Sequence, residues 1–324
     1  MMCHPAGQLI PKAGRGYSMA KRDCQALIMV LGLVLFLSFF HTPLSRYNPF
    51  LADKVEGRVV TRLITEDGEE LWATGRPVFL GDQYWVNPDK GYEVFRIRDN
   101  TALLRLLQEV KETTADEQKE SLPLAATARK IAIFHTHSAE SFVPTQGTHS
   151  VWGRGGIIRV GAVFAKTLED LGFRAIHDRT PHDPHDAGAY GRSRRTASAL
   201  IRDHQPYALF DVHRDAAPVR AYLTQIDGVD TAQIVIVIGR GNPMNSNNRV
   251  LARRLLAVGE GVHPTLVRGI FMGRGSYNQD LDPGMLLLEV GTHLMDQALA
   301  ERGVTLFAEV LAATVGTAGR SITP

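Results

Sequence analysis

Residues 131–142 read IAIFHTHSAESF, and they fix the kind of sheet to expect. A short β-prone run, 131–134, stops at His135, and His137 and Glu140 follow directly. In open α/β sheets, functional sites lie at the carboxyl ends of the strands. Two imidazoles and a carboxylate are groups that hold a metal ion or exchange protons. The stretch therefore predicts an α/β strand that ends in a functional site.

The composition describes a folded protein of about two domains. The chain has 324 residues, of which 44% are hydrophobic and 22% are charged, which is typical of globular proteins. The formal net charge is only +2, and without a polybasic block this gives no basis for nucleic-acid binding. The cysteines, Cys3 and Cys24, both lie near the N-terminus. Any later metal site must therefore use His, Asp or Glu.

The N-terminal segment predicts a membrane anchor. Residues 26–40 form an uncharged run, ALIMVLGLVLFLSFF, which continues through an uncharged flank. About 20 apolar residues span a bilayer, and basic residues before the span keep the N-terminus inside. We predict a cytoplasmic tail over 1–24, a single transmembrane signal anchor over 25–44, and the rest outside the cytoplasm at the cell membrane. The alternative is a cleaved signal peptide, but no small-x-small cleavage site lies between Ser38 and Ala52.

Two patterns divide the remainder of the chain. Residues 45–100 alternate short β-prone runs with turn signals, which predicts a small β-rich module. Residues 101–128 carry a helical pattern that fades into a polar linker. Over 129–324 strands and helices alternate, and repeated β–α units predict a mainly parallel twisted sheet with flanking helices. The expected fold class is therefore α/β, preceded by the anchor and the β-rich module.

Polar side chains stand at the ends of three predicted strands. They are His135, His137 and Glu140, then DVHRD at 211–215, and Glu289 within MLLLEVG. Two His and a Glu with an open fourth position make a common catalytic zinc site, and a separate carboxylate can act as the general base. The simpler interpretations are a hydrogen-bonded loop histidine, a turn of paired charges and a paired core carboxylate. His135 and His137 would share one face of an extended strand, and we expect only one of them to bind the metal.

Two further stretches carry polar residues. Residues 177–186, HDRTPHDPHD, are dense in His and Asp, and they predict either a second metal site or, as we favour, a polar loop at the rim of the crevice. Residues 239–245, GRGNPMN, follow a strand and precede a helix. They lack the G-x-G-x-x-G fingerprint and the Lys-Ser/Thr of a P-loop, so we reject a phosphate site there.

Taken together, these motifs resemble those of the stage II sporulation protein P family, whose members are membrane-anchored peptidoglycan hydrolases. The resemblance covers about residues 129–318, and TGRPV at 74–78 adds a less specific likeness. It rests on IFHTHSAESF (133–142), Val160-Gly161, HDRTPHD (177–183), DVHRDA (211–216), IVIVIGRGNP (234–243), YNQDLDPG (277–284) and LLLEVGTH (286–293).

The resemblance implies a fold, a cofactor and a site. The family is similar to the zinc-dependent N-acetylmuramoyl-L-alanine amidases, which have an α/β fold and bind zinc through His, Glu and His. Carried over by motif, the zinc ligands are His135, Glu140 and His213, and Glu289 is the catalyst. His137 is an equally good imidazole for the first position.

The resemblance also implies a substrate and partners. The substrate is peptidoglycan, and endopeptidase activity on cross-linked stem peptides is implied as well. The implied partners are stage II sporulation proteins D and M at the septal or engulfing membrane, in spore engulfment.

The expected reaction is metal-assisted amide hydrolysis. Glu289 would take a proton from water and return it to the departing amine, and Arg214 or Tyr277 would support the oxyanion. One alternative is a zinc endopeptidase that cuts only peptide cross-bridges. The other is a non-catalytic, membrane-anchored scaffold that binds the wall.

Overall fold

The computed structural model describes residues 60–107, 130–186 and 188–318. The strands are β1 (Thr61–Thr65), β2 (Glu70–Thr74), β3 (Gln83–Trp85), β4 (Gly91–Arg98), β5 (Thr101–Leu106), β6 (Lys130–Phe134), β7 (Arg174–His177), β8 (Ala208–Asp215), β9 (Leu223–Ile226), β10 (Val229–Ala232), β11 (Ile234–Gly239), β12 (Val267–Gly273) and β13 (Met285–Thr292). The helices are α1 (Val143–Gln146), α2 (Gly156–Asp170), α3 (Ala189–His204), α4 (Asn245–Val262) and α5 (Gln297–Ala318).

The predicted tail and anchor, 1–24 and 25–44, lie outside the described residues. Among the residues that are described, no helix has the length and apolar character needed to cross a bilayer.

Eleven of the strands form one mixed sheet. Its order is β2-β1-β5-β4-β3-β12-β11-β13-β8-β6-β7. The strands β13, β8, β6 and β7 run parallel to one another, as do β11 and β12. The β11–β13 pair and most pairs among β1–β5 are antiparallel. The predicted α/β class with flanking helices is confirmed, but the sheet is mixed, and apart from the β1–β5 pair its parallel pairs lie from residue 130 onward.

Helices cover both faces of the parallel strands. On β6, Ile131 and Ile133 belong to the same apolar cluster as Phe164 of α2. Ala132 and Phe134 instead pack with residues of α3, including Leu200. Because successive strand residues point to opposite faces, α2 and α3 lie on opposite sides of the sheet. The helix α5 joins the α2 side, where the rings of Phe164 and Phe307 are 5.8 Å apart.

Residues 101–106 form a strand, so the helix predicted to begin at residue 101 is wrong for this segment. In β5 the buried residues alternate, with Ala102 and Leu104 inside. The strand pairs in parallel with β1 and antiparallel with β4. The Leu-rich run fits both a helical and an alternating pattern, and strand pairing on both edges decides between them. The rest of the predicted helix and linker, 108–128, lies outside the described residues.

The β-rich segment is also not a separate module. The strand β3 pairs antiparallel with β12, with Ile270 opposite Trp85. The buried ring of Trp72 stacks on Tyr84 at 5.2 Å and contacts Phe271 at 5.4 Å. The described residues accordingly fall in one compact unit, Phe50–Pro324. Strand pairing and a shared aromatic core therefore join the β-rich segment to the α/β part of the chain, although the sequence pattern separates the two.

Candidate active site

Three adjacent parallel strands bring the predicted polar groups to one edge of the sheet. In the ladders, Phe134 of β6 lies opposite Asp211 of β8, and His213 of β8 lies opposite Glu289 of β13. Parallel strands end on the same side, so these residues converge at the carboxyl edge. A pocket of about 400 Å³ opens there, and its lining includes His137, Glu140 and Glu289.

Two imidazoles and a carboxylate meet in this pocket. Oε1 of Glu140 lies 3.2 Å from Nδ1 of His137 and 3.4 Å from Nδ1 of His213. In the described ranges, this is the one set of three His, Cys, Asp or Glu side chains that can hold a metal ion together. Glu140 and His213 are buried, and His137 is partly buried. Two nitrogens and one oxygen around a buried point match a catalytic zinc site with an open position.

The structure does not place His135 in this set, contrary to the ligand assignment expected from the family motif. Its Nδ1 is 2.9 Å from the carbonyl oxygen of Val212, and its Nε2 is 2.9 Å from Nε2 of His177. A Cβ on Gly161 of α2 would lie 2.5 Å from that Nε2. The ring is thus wedged under α2, with both nitrogens occupied. The chain leaves the strand after Phe134, so the face-sharing rule no longer applies and His137 turns to the pocket.

Asp211 makes a buried charged contact with the His213 ring. Oδ1 of Asp211 is 2.9 Å from Nε2 of His213, which leaves Nδ1 for the pocket. Asp211 is itself held by the backbone N–H of Thr136 at 2.7 Å and its hydroxyl at 2.6 Å. A carboxylate behind a ligating histidine sets its tautomer and raises its basicity. The motif DVHRD contained this residue, but nothing in the sequence indicated which of its carboxylates does this.

The electrostatics of the site favour positive charge at its centre. Burial opposes protonation of His213, but Asp211 and Glu140 outweigh it and hold the pKa of His213 well above its usual range. Burial likewise opposes ionisation of Glu140, but His213 and His137 hold the pKa of this carboxyl well below its usual range. The backbone N–H of Arg214 also donates to Oε2 of Glu140 at 2.9 Å. The side chains present therefore fit a divalent cation.

Glu289 lines the same pocket and is buried from solvent. Burial raises the pKa of Glu289 to about 7, and Arg76 opposes that rise. Nη1 of Arg76 donates to Oε1 of Glu289. Oε2 is buried and accepts no hydrogen bond from any described residue. Arg76 lies in the TGRPV segment, whose role the sequence left unassigned.

Arg214 and Tyr277, the two residues expected to support an oxyanion, differ in their surroundings. The Arg214 guanidinium is buried and donates to the backbone carbonyls of Ser141 at 3.2 Å and His149 at 2.7 Å. It therefore holds the loop after Glu140 in place. The ring of Tyr277 lines the pocket and lies 5.6 Å from the ring of Tyr190. Of the two, Tyr277 is better placed to reach a bound substrate.

The His- and Asp-rich loop at 177–186 forms a wall around the site rather than a second metal group. His177 contacts His135, and His182 lies 2.7 Å from the carbonyl oxygen of His135 and 2.8 Å from Thr196. His185 stacks on His137 at 3.9 Å, and its Nε2 lies 3.8 Å from Oε1 of Glu140. Nothing in the sequence indicated that His185 would approach the candidate metal ligands, because that contact arises where the loop folds back over the pocket.

Comparison with solved structures finds several amidases. The CwlD amidase from Clostridioides difficile, in complex with the GerS lipoprotein, is 10% identical with a TM-score of 0.40, over 59% of this chain and 98% of that one. The N-acetylmuramoyl-L-alanine amidase AmiC2 of Nostoc punctiforme is 16% identical with a TM-score of 0.33, over 59% and 96%. Ami1 from Mycobacterium abscessus, the apo form of an N-acetylmuramyl-L-alanine amidase, is 14% identical with a TM-score of 0.35, over 59% and 98%.

No curated protein matches the chain. The family model for stage II sporulation protein P (SpoIIP) matches residues 98–312, which is most of the chain and contains His137, Glu140, His213 and Glu289. The family resemblance seen in the motifs is thereby confirmed. The chain belongs to the stage II sporulation protein P family.

Proposed function

We propose that this protein is a zinc-dependent peptidoglycan hydrolase that cleaves the N-acetylmuramoyl-L-alanine amide bond. The observation that carries the proposal is the pocket in which His137, Glu140 and His213 face one another and a separate carboxylate, Glu289, has one free oxygen. A metal group with a distinct acid/base carboxylate beside it is a standard arrangement for amide hydrolysis. Membership of the family supports peptidoglycan as the substrate.

The three ligand side chains would hold the ion, and Asp211 would keep Nδ1 of His213 free to bind it. When bound, zinc polarises the scissile carbonyl and lowers the pKa of water at the site. Glu289 takes a proton from the attacking water and gives it to the departing nitrogen. Burial raises the pKa of Glu289, which brings this carboxyl nearer to the range in which it can both accept and return a proton. The hydroxyl of Tyr277 is the candidate donor to the oxyanion.

The cellular setting is part of the proposal. The apolar run at 26–40 and its basic flank support a single-pass anchor with the catalytic domain outside the cytoplasm. The family supports a role in sporulation. We propose action at the septal or engulfing membrane during spore engulfment, with stage II sporulation proteins D and M as partners.

The bond that is cleaved can be read from the products. The full-length protein in detergent is incubated with purified sacculi, and the released fragments are identified by mass spectrometry. An amidase releases stem peptides that begin with a free L-alanine amine and leaves the glycan strands uncut. Release of split cross-bridges alone would instead establish an endopeptidase. Binding to sacculi without any fragments would establish the scaffold, and Glu289→Gln provides the inactive control.

A further inference from the structure

The N-terminal part of the described chain places the guanidinium of Arg76 next to Glu289, the candidate general base. Arg76 lies between β2 and β3, and its Nη1 donates to Oε1 of Glu289, which is 213 positions away in the sequence. The Arg76 side chain is 13% exposed and that of Glu289 is 3% exposed. An Arg–carboxylate pair removed from solvent in this way is held much more firmly than a surface pair.

The segment that carries Arg76 is fastened to the end of β8. The backbone N–H of Gly75 donates to Oδ1 of Asp215 at 3.0 Å. A Cβ at Gly75 would lie 2.3 Å from the carbonyl oxygen of Ala216, so only glycine permits this close approach. The hydroxyl of Tyr222 donates to the other oxygen of Asp215 at 3.0 Å. The position of Arg76 is therefore set by a strand of the metal site.

The guanidinium is held from a second side as well. Its Cζ lies 5.0 Å from the centre of the Tyr277 ring, a cation–π distance. Burial opposes the charge of Arg76, but Glu289 outweighs it and keeps the pKa of the guanidinium well above its usual range. Arg76 is thus a fixed cation between a carboxylate and an aromatic ring in the pocket.

The contact with Arg76 makes the two carboxylate oxygens of Glu289 different from each other. Oε1 accepts from Arg76, and Oε2 has no hydrogen-bond partner among the described residues. A general base must present one oxygen to water in a fixed direction. We propose that Arg76 is a positioning residue for Glu289, so that the N-terminal strands complete the active site. The inference rests on the proposed hydrolase function, and residue 76 lies outside the 98–312 segment matched by the family model.

The alternative is inhibition, in which Arg76 blocks Glu289 until a partner protein moves the guanidinium away. The two hypotheses predict opposite changes in kcat when the guanidinium is removed by mutation. Positioning predicts a slower enzyme, whereas inhibition predicts a faster one.

The test compares the full-length wild type in detergent with Arg76→Ala, Arg76→Lys, Glu289→Gln and the double variant Arg76→Ala/Glu289→Gln, on soluble muropeptides. We expect Arg76→Ala to lower kcat about 10- to 100-fold with KM within about twofold. Arg76→Lys should fall between, because lysine keeps the charge but not the planar fork. The double variant should be no slower than Glu289→Gln, because Arg76 acts through that carboxylate. Arg62→Ala is the matched control, since Arg62 pairs with Glu70 on the outer strands.

Zinc content and the thermal unfolding midpoint show whether each variant is folded. If Arg76→Ala is unfolded, Arg76→Lys decides: a lower kcat at unchanged KM supports positioning, and wild-type kcat overturns it. Wild-type or higher kcat in a folded Arg76→Ala, or a double variant in which the two losses multiply, also overturns it. An inactive wild type would instead defeat the proposed function, and the inference with it.

Discussion

Asp211 lies behind His213, with its Oδ1 2.9 Å from Nε2 of the imidazole, on the side away from Glu140. Both side chains are fully buried, so neither can exchange this contact for water. Asp211 lies on the Nε2 side of the His213 ring while Nδ1 faces the pocket, and the pair links the candidate metal site to the interior of the sheet.

The first prediction concerns this pair. Asp211→Asn keeps the shape but removes the charge that orients His213, so zinc should bind about 10- to 100-fold more weakly. Affinity is measured by competition with a chromophoric chelator. Asp203→Asn, at an exposed position at the end of α3, should bind zinc as the wild type does. Equal zinc affinity in both variants would show that Asp211 does not support the ligand.

The second prediction separates the two histidines of the HTH motif. His137→Ala should lose most of the zinc, because two protein ligands hold the ion poorly. His135→Ala should keep zinc but lower the free energy of unfolding by about 1–3 kcal/mol, because it removes a buried side chain and its hydrogen bond to the carbonyl of Val212. Metal analysis and denaturant titration of both variants show which histidine binds zinc and which one stabilises the fold. The reverse result would restore His135 as the ligand.

The third prediction concerns the general base. Glu289→Gln should retain zinc, because Glu289 lies outside the ligand group. It should slow fragment release by about 10²–10⁴-fold, the usual contribution of an acid/base group. Initial rates on sacculi and zinc content are measured on the same preparation. Normal release by the zinc-loaded variant would leave the reaction without this base.

The fourth prediction follows from the pKa of the same carboxyl. Burial raises the pKa of Glu289 to about 7, and a bound cation nearby lowers it. A base accepts protons only when ionised, so kcat/KM should fall with decreasing pH, beginning at or below about pH 7. Rates at saturating zinc across about pH 5 to 9 test this. A kcat/KM that rises as the pH falls would assign the rate-limiting group to an acid instead.

The fifth prediction concerns topology. If residues 25–44 remain as an anchor, protease added to cells with permeabilised walls should digest the chain beyond them, while the full-length protein stays in the membrane fraction. Sequencing the N-terminus of the mature protein provides the control. A released form beginning near residue 45–53 would identify a cleaved signal peptide.

The sequence by itself determined the part of this protein that depends on local pattern. Apolar runs that end in polar residues predicted β6, β8 and β13, and their parallel order put Glu140, His213 and Glu289 on one edge of the sheet. The motifs were enough to assign the family. These features follow from side-chain alternation and strand direction, which operate over a few residues.

Only the tertiary structure decided the rest. Whether His135 or His137 faces Glu140 and His213 depends on how the chain turns after β6 and on the close packing of α2 at Gly161. The strand at 101–106 depends on partners on both of its edges. The Arg76–Glu289 pair joins positions 213 apart. No local pattern records contacts of this kind, because they arise where distant segments share one buried space.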